Sequence, residues 1–426
     1  MSIIEKLYSL EVLDSRGRPT LKTTCQLKNG AIAEVSVPSG ASTGEHEAHE
    51  LRDGDKKRYG GFGVRNAVEN VNKDLAKVLC GQDWTQQTLD AAMNQLDGTA
   101  NKSRLGANAI LSVSLAFARA CAVEKGIPLY QHFANLADIK SQHLPRLTIN
   151  LFSGGKHAGG QVPIQDLLMV PASAKSIDES LSVSYAVYQS AAKLIFDKYG
   201  MRSLTADEGG LAPAFDKMEQ MFEDAVLAIG KAGLRCPQDV ALAVDVASSH
   251  FYRDQKYFYN AQGGSAAEMI DQLESWVNQF GVVSVEDGLA ENDWENWPQL
   301  RTRLESTSPE VLVLGDDLLC TNPAHIQRAI DTKSANALLL KVNQIGTLSE
   351  AMQALHLAES AGWKVTVSAR SGETEDNWLA DLAVGWGADQ IKIGSITQSE
   401  RLAKYNRLLE IERETGWPVV NWPSEE

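Results

Sequence analysis

Six short apolar runs in the second half of the chain each end in a charged residue: ALAVD at Asp245, VVSVE at Glu286, VLVLGD at Asp316, ALLLK at Lys341, KVTVSAR at Arg370 and QIK at Lys392. Each is separated from the next by a stretch long enough for a helix, the pattern of βα units around a parallel sheet. Before them the pattern differs. Residues 1 to about 60 alternate as strands and turns, and LKTTCQL and AIAEVSV flank Lys28-Asn29-Gly30, a hairpin signal. Residues from about 63 to 135 carry helical periodicity. Strands followed by helices predict an α+β unit at 1–138, and the βα pattern predicts a barrel over 139–426, with the boundary in the loop Ala137–Leu144. The apolar stretch Ala109–Val123 is read as a buried helix, interrupted by Arg119 and too short for a bilayer. The tail WPVVNWPSEE reads as packed on the barrel surface or as a loose end.

In a β/α barrel the side chains at the C-terminal strand ends converge on one mouth. That mouth would hold three carboxylates, Asp245, Glu286 and Asp316, then three cations, Lys341, Arg370 and Lys392. Carboxylates suit a hard divalent metal, and cations suit an anionic substrate. A single acid after a strand reflects turn preference; six charged strand ends of ordered sign are much harder to obtain from solubility alone.

Bulk properties remove other classes. The formal charge of −15 excludes a nucleic-acid-coating role, which needs a basic face. Five cysteines without a CxxC pair argue against a disulfide framework or zinc site and fit a reducing cytoplasm. The segment MSIIEKLYSL lacks the basic and apolar regions of a signal peptide, so a cytoplasmic location with no membrane partner is expected.

Four loops carry further candidates. Ser39-Gly40-Ala41-Ser42-Thr43-Gly44 is either a surface turn or a loop that closes over a ligand, with a Ser hydroxyl reaching a metal. Gly154 to Gly160 holds Lys156 and His157, a His either exposed or aimed at a site, and Asp166 follows on the next apolar run. Asp207-Glu208-Gly209-Gly210 reads as a solvated turn or as a general acid at the mouth. Arg370 and Ser371 are expected at a helix N-terminus, which is an anion site and equally an N-cap with acidic first-turn residues.

These segments together carry a resemblance. SGASTG with EAHELRDGD, DSRGRPT, GGKHAGG, DEGG, SVEDGLAENDWENW, GDDLLCTNP, LLLKVNQIGTLSEA, SARSGETED and QIKIGS-x-x-x-SERLAKYN resemble the enolase (phosphopyruvate hydratase) family, in order and spacing, from about Ile3 to Gly416. The resemblance implies an α/β fold with an N-terminal α+β capping domain and an enolase-type C-terminal β/α barrel whose first units are irregular. It implies a carbon–oxygen lyase of glycolysis, dehydrating 2-phosphoglycerate to phosphoenolpyruvate, with two Mg2+ sites. Asp245, Glu286 and Asp316 would bind the first ion, and Ser42 would bind the second together with the substrate phosphate. Lys341 would be the base and Glu208 the general acid. Arg370 and Ser371 would contact the phosphate, Lys392 the carboxylate side and His157 the substrate. A homodimer or larger assembly is implied too.

Two positions depart from that pattern. Ala369 stands where the family has a His, and Asp166 where it has a Glu supporting the general acid. Losing one methylene retracts a carboxylate by about 1.5 Å. Trp378 and Trp386 are candidates to refill space beside Ala369. Since the metal, base and phosphate positions are kept, retained enolate chemistry on the same or a closely related phosphorylated hydroxy acid is the leading expectation. A paralogue for a phosphonate or bulkier phospho-acid, and a catalytically silent binding or scaffold protein, are the alternatives.

Overall fold

The computed structural model describes residues 1–41 and 43–423. Four strands, β1 (Ser2–Leu13), β2 (Pro19–Leu27), β3 (Ile32–Ser36) and β4 (Asp83–Trp84), form a sheet in the order β3-β2-β1-β4. The Asn-Gly turn closes the β2–β3 hairpin, with Gly30 at a φ of +94° that favours glycine. The helix Ala107–Lys125 packs across β2 and β3 and is buried almost all round. At 19 residues it is long and apolar enough to cross a membrane. Its burial in the protein interior, rather than the shortness expected from the sequence, accounts for its composition. It stops at Gly126 in the left-handed conformation.

The second unit is a closed eight-stranded barrel. Its strands are β5 (Arg146–Ser153), β6 (Asp166–Val170), β7 (Ala241–Asp245), then, beyond an outlying hairpin of β8 (Tyr252–Arg253) and β9 (Lys256–Tyr257), β10 (Val282–Glu286), β11 (Leu312–Gly315), β12 (Ala337–Leu340), β13 (Lys364–Ser368) and β14 (Gln390–Gly394). All six predicted runs are strands. β6 alone runs antiparallel, to both β5 and β7. A parallel return needs a long crossover, usually helical. Residues 154–165 hold only a short 3-10 turn, so the chain reverses. The first residue of β6 therefore lies at the mouth, level with the last residues of its neighbours: Ser153 pairs with Asp166, Asp166 with Asp245, and Asp245 with Glu286.

As far as residue 423 the tail is tied into the barrel, and its last three residues lie outside the described ones. Val420 N–H donates to Leu144 O at 2.9 Å, and Arg146 donates to Val420 O at 2.8 Å. Trp422 is buried among Val170, Ala241, Leu312 and Ala337, at the barrel end opposite the mouth. The sequence hides this because two Trp and two Pro in ten residues say nothing of which cavity they fill.

A second correction concerns Arg370 and Ser371. No helix begins there; the next starts at Trp378. Residues 371–376 run instead against the N-terminal unit. Ser39 and Gly372 exchange backbone hydrogen bonds at 2.8 and 2.9 Å, and Ser15 N–H donates to Glu373 O at 2.8 Å. The acids expected in a first helical turn serve as partners elsewhere: Glu373 pairs with Lys404, and Asp376 with Arg119.

Candidate active site

The barrel register sets Asp166, Asp245 and Glu286 side by side, and all three are buried. Lys392, on β14, is paired with Thr148 and Ser368. Its ammonium reaches across the barrel to Asp245 Oδ2 at 2.9 Å and Glu286 Oε2 at 2.7 Å. Gln165 holds the same Asp245 oxygen at 3.1 Å. On the next strands Lys341 Nζ donates to Asp316 Oδ2, and Gln344 Nε2 to Asp316 Oδ1 at 2.7 Å.

Lys392 thus bridges Asp245 and Glu286, while Asp316 is paired with Lys341 and Gln344. Among the described residues, the groups of three His or acidic side chains whose ligand atoms lie within 4.8 Å of one another are Asp287, Asp316 and Asp317, and separately His157, Asp166 and Glu208. The cause is electrostatic: lysine side chains long enough to span the mouth act as counter-ions to the acids they face. Glu286 Oε1 is nevertheless buried with no hydrogen-bond partner among the described residues. A carboxylate oxygen rarely stays so.

His157 is buried, not exposed. Its Nδ1 lies 2.8 Å from Asp166 Oδ2, and Asp166 Oδ1 accepts from Ser153 Oγ. Asp166 therefore supports His157 and makes no hydrogen bond to Glu208 among those described. Burial alone would lower the His157 pKa, but the carboxylates of Asp166 and Glu208 outweigh it and raise it to about 9. Glu208 accepts from Asn150 at 3.1 Å. Burial would raise its pKa; the charges of His157, Arg401 and Lys392 hold it below the ordinary value. The charges in this corner thus favour the protonated form of His157 and the ionised form of Glu208.

Arg370 donates bidentately to Glu47, at 3.0 and 3.1 Å, and to Asn343 Oδ1 at 3.0 Å. Ser371 Oγ accepts from Ala41 N–H at 2.8 Å, and the buried Arg401 clamps the carbonyls of Arg370 and Ser371 at 2.7 and 2.6 Å. Ser42 lies outside the described residues. Ala369 is buried beside Arg370 and donates to Lys392 O at 2.8 Å. Trp378 donates to Ser36 O, and Trp386 packs edge-on to Phe133, so both indoles are engaged with the N-terminal unit.

Sequence reading missed Glu47, Gln344, Asn343, Gln165 and Arg401. Glu47 sits in an acidic stretch that reads as a solvated face, and the others are polar residues whose partners lie far along the chain.

Carboxylates outnumber cations at the mouth. Glu47, Asp166, Glu208, Asp245, Glu286, Asp287, Asp316 and Asp317 face His157, Lys341, Arg370 and Lys392, most of them buried and the rest nearly so. An anionic ligand would add to the excess. An all-oxygen donor set, surplus negative charge and an unpartnered buried carboxylate oxygen together fit a hard divalent cation. The architecture is that of a barrel enzyme with acid–base and electrostatic groups at one mouth.

Comparison with known families agrees. The family model described as "Enolase, C-terminal TIM barrel domain" matches residues 141–421, and that described as "Enolase, N-terminal domain" matches residues 4–133. The chain belongs to the enolase family, and its two domains are those of an enolase-superfamily lyase.

Proposed function

We propose that the chain is a magnesium-dependent lyase that dehydrates 2-phosphoglycerate, or a closely related phosphorylated hydroxy acid, by removing the proton beside the carboxylate. The observation that carries this reading is the interleaving of Asp245, Glu286 and Asp316 with Lys392 and Lys341 at the mouth. Glu286, Asp245 and Asp316 are the residues to hold a first magnesium ion, and Ser42 belongs to the second. Bound there, the ions supply positive charge beside the carboxylate whose neighbouring carbon loses its proton.

Lys341 is the base. Burial and the nearby Arg370 lower its proton affinity, Asp316 and Glu286 raise it, and the net direction is up. A cation on those two carboxylates would cancel the attraction that keeps it protonated. Lys392 stabilises the growing charge on the carboxylate side, and Arg370 with Ser371 anchors the phosphate. Glu208 handles the departing hydroxyl, with His157 as the neighbouring proton donor and Asp166 orienting it. A homodimer is proposed as well: Tyr8, Leu10 and Leu13 on β1 are large, apolar and exposed next to the DSRGRPT segment.

Ala369 and the Ser153–Asp166–His157 arrangement favour a second reading, a substrate bulkier at the hydroxyl-bearing carbon. The test is a coupled assay with magnesium over a panel of phosphorylated hydroxy acids, following enol-phosphate absorbance. If the substrate has changed, 2-phosphoglycerate turns over poorly. Ala369→His with Asp166→Glu then raises its dehydration on the order of a hundredfold, the usual contribution of an acid–base group. A parent already as efficient on 2-phosphoglycerate as enolases in general removes the case for another substrate. A protein that neither binds magnesium nor turns over any member of the panel is a binding protein instead.

A further inference from the structure

Lys341, Thr321, Gln344 and Asp316 close a ring of hydrogen bonds that begins and ends on Lys341. The Lys341 backbone N–H donates to Thr321 Oγ1 at 2.9 Å. The Thr321 hydroxyl passes its proton side to Gln344 Oε1 at 2.8 Å. Gln344 Nε2 donates to Asp316 Oδ1 at 2.7 Å, and Asp316 Oδ2 accepts from Lys341 Nζ. Thr321 and Gln344 are fully buried. Gln344 lies in the one-turn helix Val342–Ile345 that follows Lys341, so its side chain turns back over the residue three before it.

The orientation of this amide is fixed by its surroundings. Its NH2 group faces two carboxylates, Asp316 at 2.7 Å and Glu47 Oε1 at 3.4 Å, while its oxygen faces a hydroxyl donor. Flipping it would set an oxygen against both carboxylates. A neutral double donor therefore separates two like charges in a buried site. Glu47 is in turn the carboxylate that grips Arg370. Its backbone neighbour Ala48 donates to the Gln344 carbonyl at 2.7 Å.

We propose that Gln344 is a positioning residue. It holds the Asp316 carboxylate in the orientation that serves both the cation and Lys341, and it keeps that carboxylate apart from the one on Arg370. This rests on the magnesium reading above. Removing an outer hydrogen-bond partner of a metal ligand commonly weakens metal affinity by about 10- to 100-fold. A displacement of a base by about 1 Å costs on the order of a hundredfold in rate.

The test compares the parent with Gln344→Met, which keeps the volume and removes the amide. Magnesium binding is measured by calorimetry without substrate, and kcat and KM are measured on the best substrate of the panel. Gln344→Met should weaken magnesium about tenfold or more and lower kcat by a similar factor or more at saturating magnesium. KM should stay within about twofold, because the anion anchor on Arg370 is not removed. A variant disabled merely by loosened packing would not show this split. Thr321→Val, which removes a single corner of the ring, should move the same two quantities in the same direction by less, and it serves if Gln344→Met does not fold. If the parent binds magnesium and both variants bind it and turn over like the parent, the positioning role is wrong while the metal reading stands. A parent that binds no magnesium sinks the metal reading and this inference with it.

Discussion

Asp166→Asn should return the His157 imidazole most of the way to ordinary proton affinity. In the parent, Asp166 and Glu208 push His157 up to about 9, against 6.5 for a free imidazole. That interval corresponds to roughly 3 kcal/mol in favour of the imidazolium. Burial opposes it, and among the favourable contributions Asp166 comes first, at 2.8 Å from Nδ1, ahead of Glu208. Asparagine offers no charge, so only Glu208 and the weaker influence of Asp245 would remain against burial, and His157 should be neutral at pH 8. The assay is NMR titration of the His157 ring signals from pH 5 to 10, assigned by their loss in His157→Asn. The same pair leaves a mark on stability. A His whose pKa rises on folding contributes stability that is fully present below its unfolded value of about 6.5 and is lost as pH climbs through 9. The Asp166→Asn penalty in melting temperature should therefore be larger at pH 6 than at pH 10. A parent His157 that titrates at or below 6.5, or one unmoved by Asp166→Asn, would refute the electrostatics described for this corner.

Lys341→Ala should abolish solvent-deuterium exchange at the substrate's acidic carbon while calorimetry still detects magnesium; exchange at the parent rate would mean another group is the base. Trp422→Ala should cost about 3 to 5 kcal/mol in urea denaturation, as for a large aromatic removed from a core, with magnesium affinity unchanged; a loss of less than about 1 kcal/mol would mean the tail does not plug the barrel. Sedimentation at micromolar concentration should give at least twice the 46.4 kDa chain mass, and a monomer alone would contradict the dimer.

The six strands and their charged ends were legible because burial on both faces demands continuous apolar runs, and a charge at the end of such a run is conspicuous. The hairpin at Asn29-Gly30 was legible because its turn is local. The reversal of β6 was harder to see: IQDLLMV is as apolar as a parallel strand, and direction depends on the connection before it. The absence of a helix at Ser371 was concealed for a related reason. The sequence SGETED satisfies helix-start rules, but its backbone groups bond instead to Ser15 and Ser39, more than 300 positions away. The family pattern sets Asp166 in support of Glu208, whereas the fold sets it on His157, because a shortened carboxylate takes whichever donor lies within reach. Glu47 and Gln344 carry no local signal at all; their significance comes only from what the fold sets opposite them.

The backbone bonds between Ser39 and Gly372, and between Ala48 and Gln344, have a bearing on inheritance. Arg370 and Lys341 stand on the barrel, but the carboxylate that grips the one, and the peptide group that ties down the segment after the other, belong to the N-terminal unit. Neither half can be exchanged for that of a distant relative without altering the other's site. A chimera that joins the halves of two family members should therefore disturb the Glu47–Arg370 pair wherever the two halves meet at a different spacing.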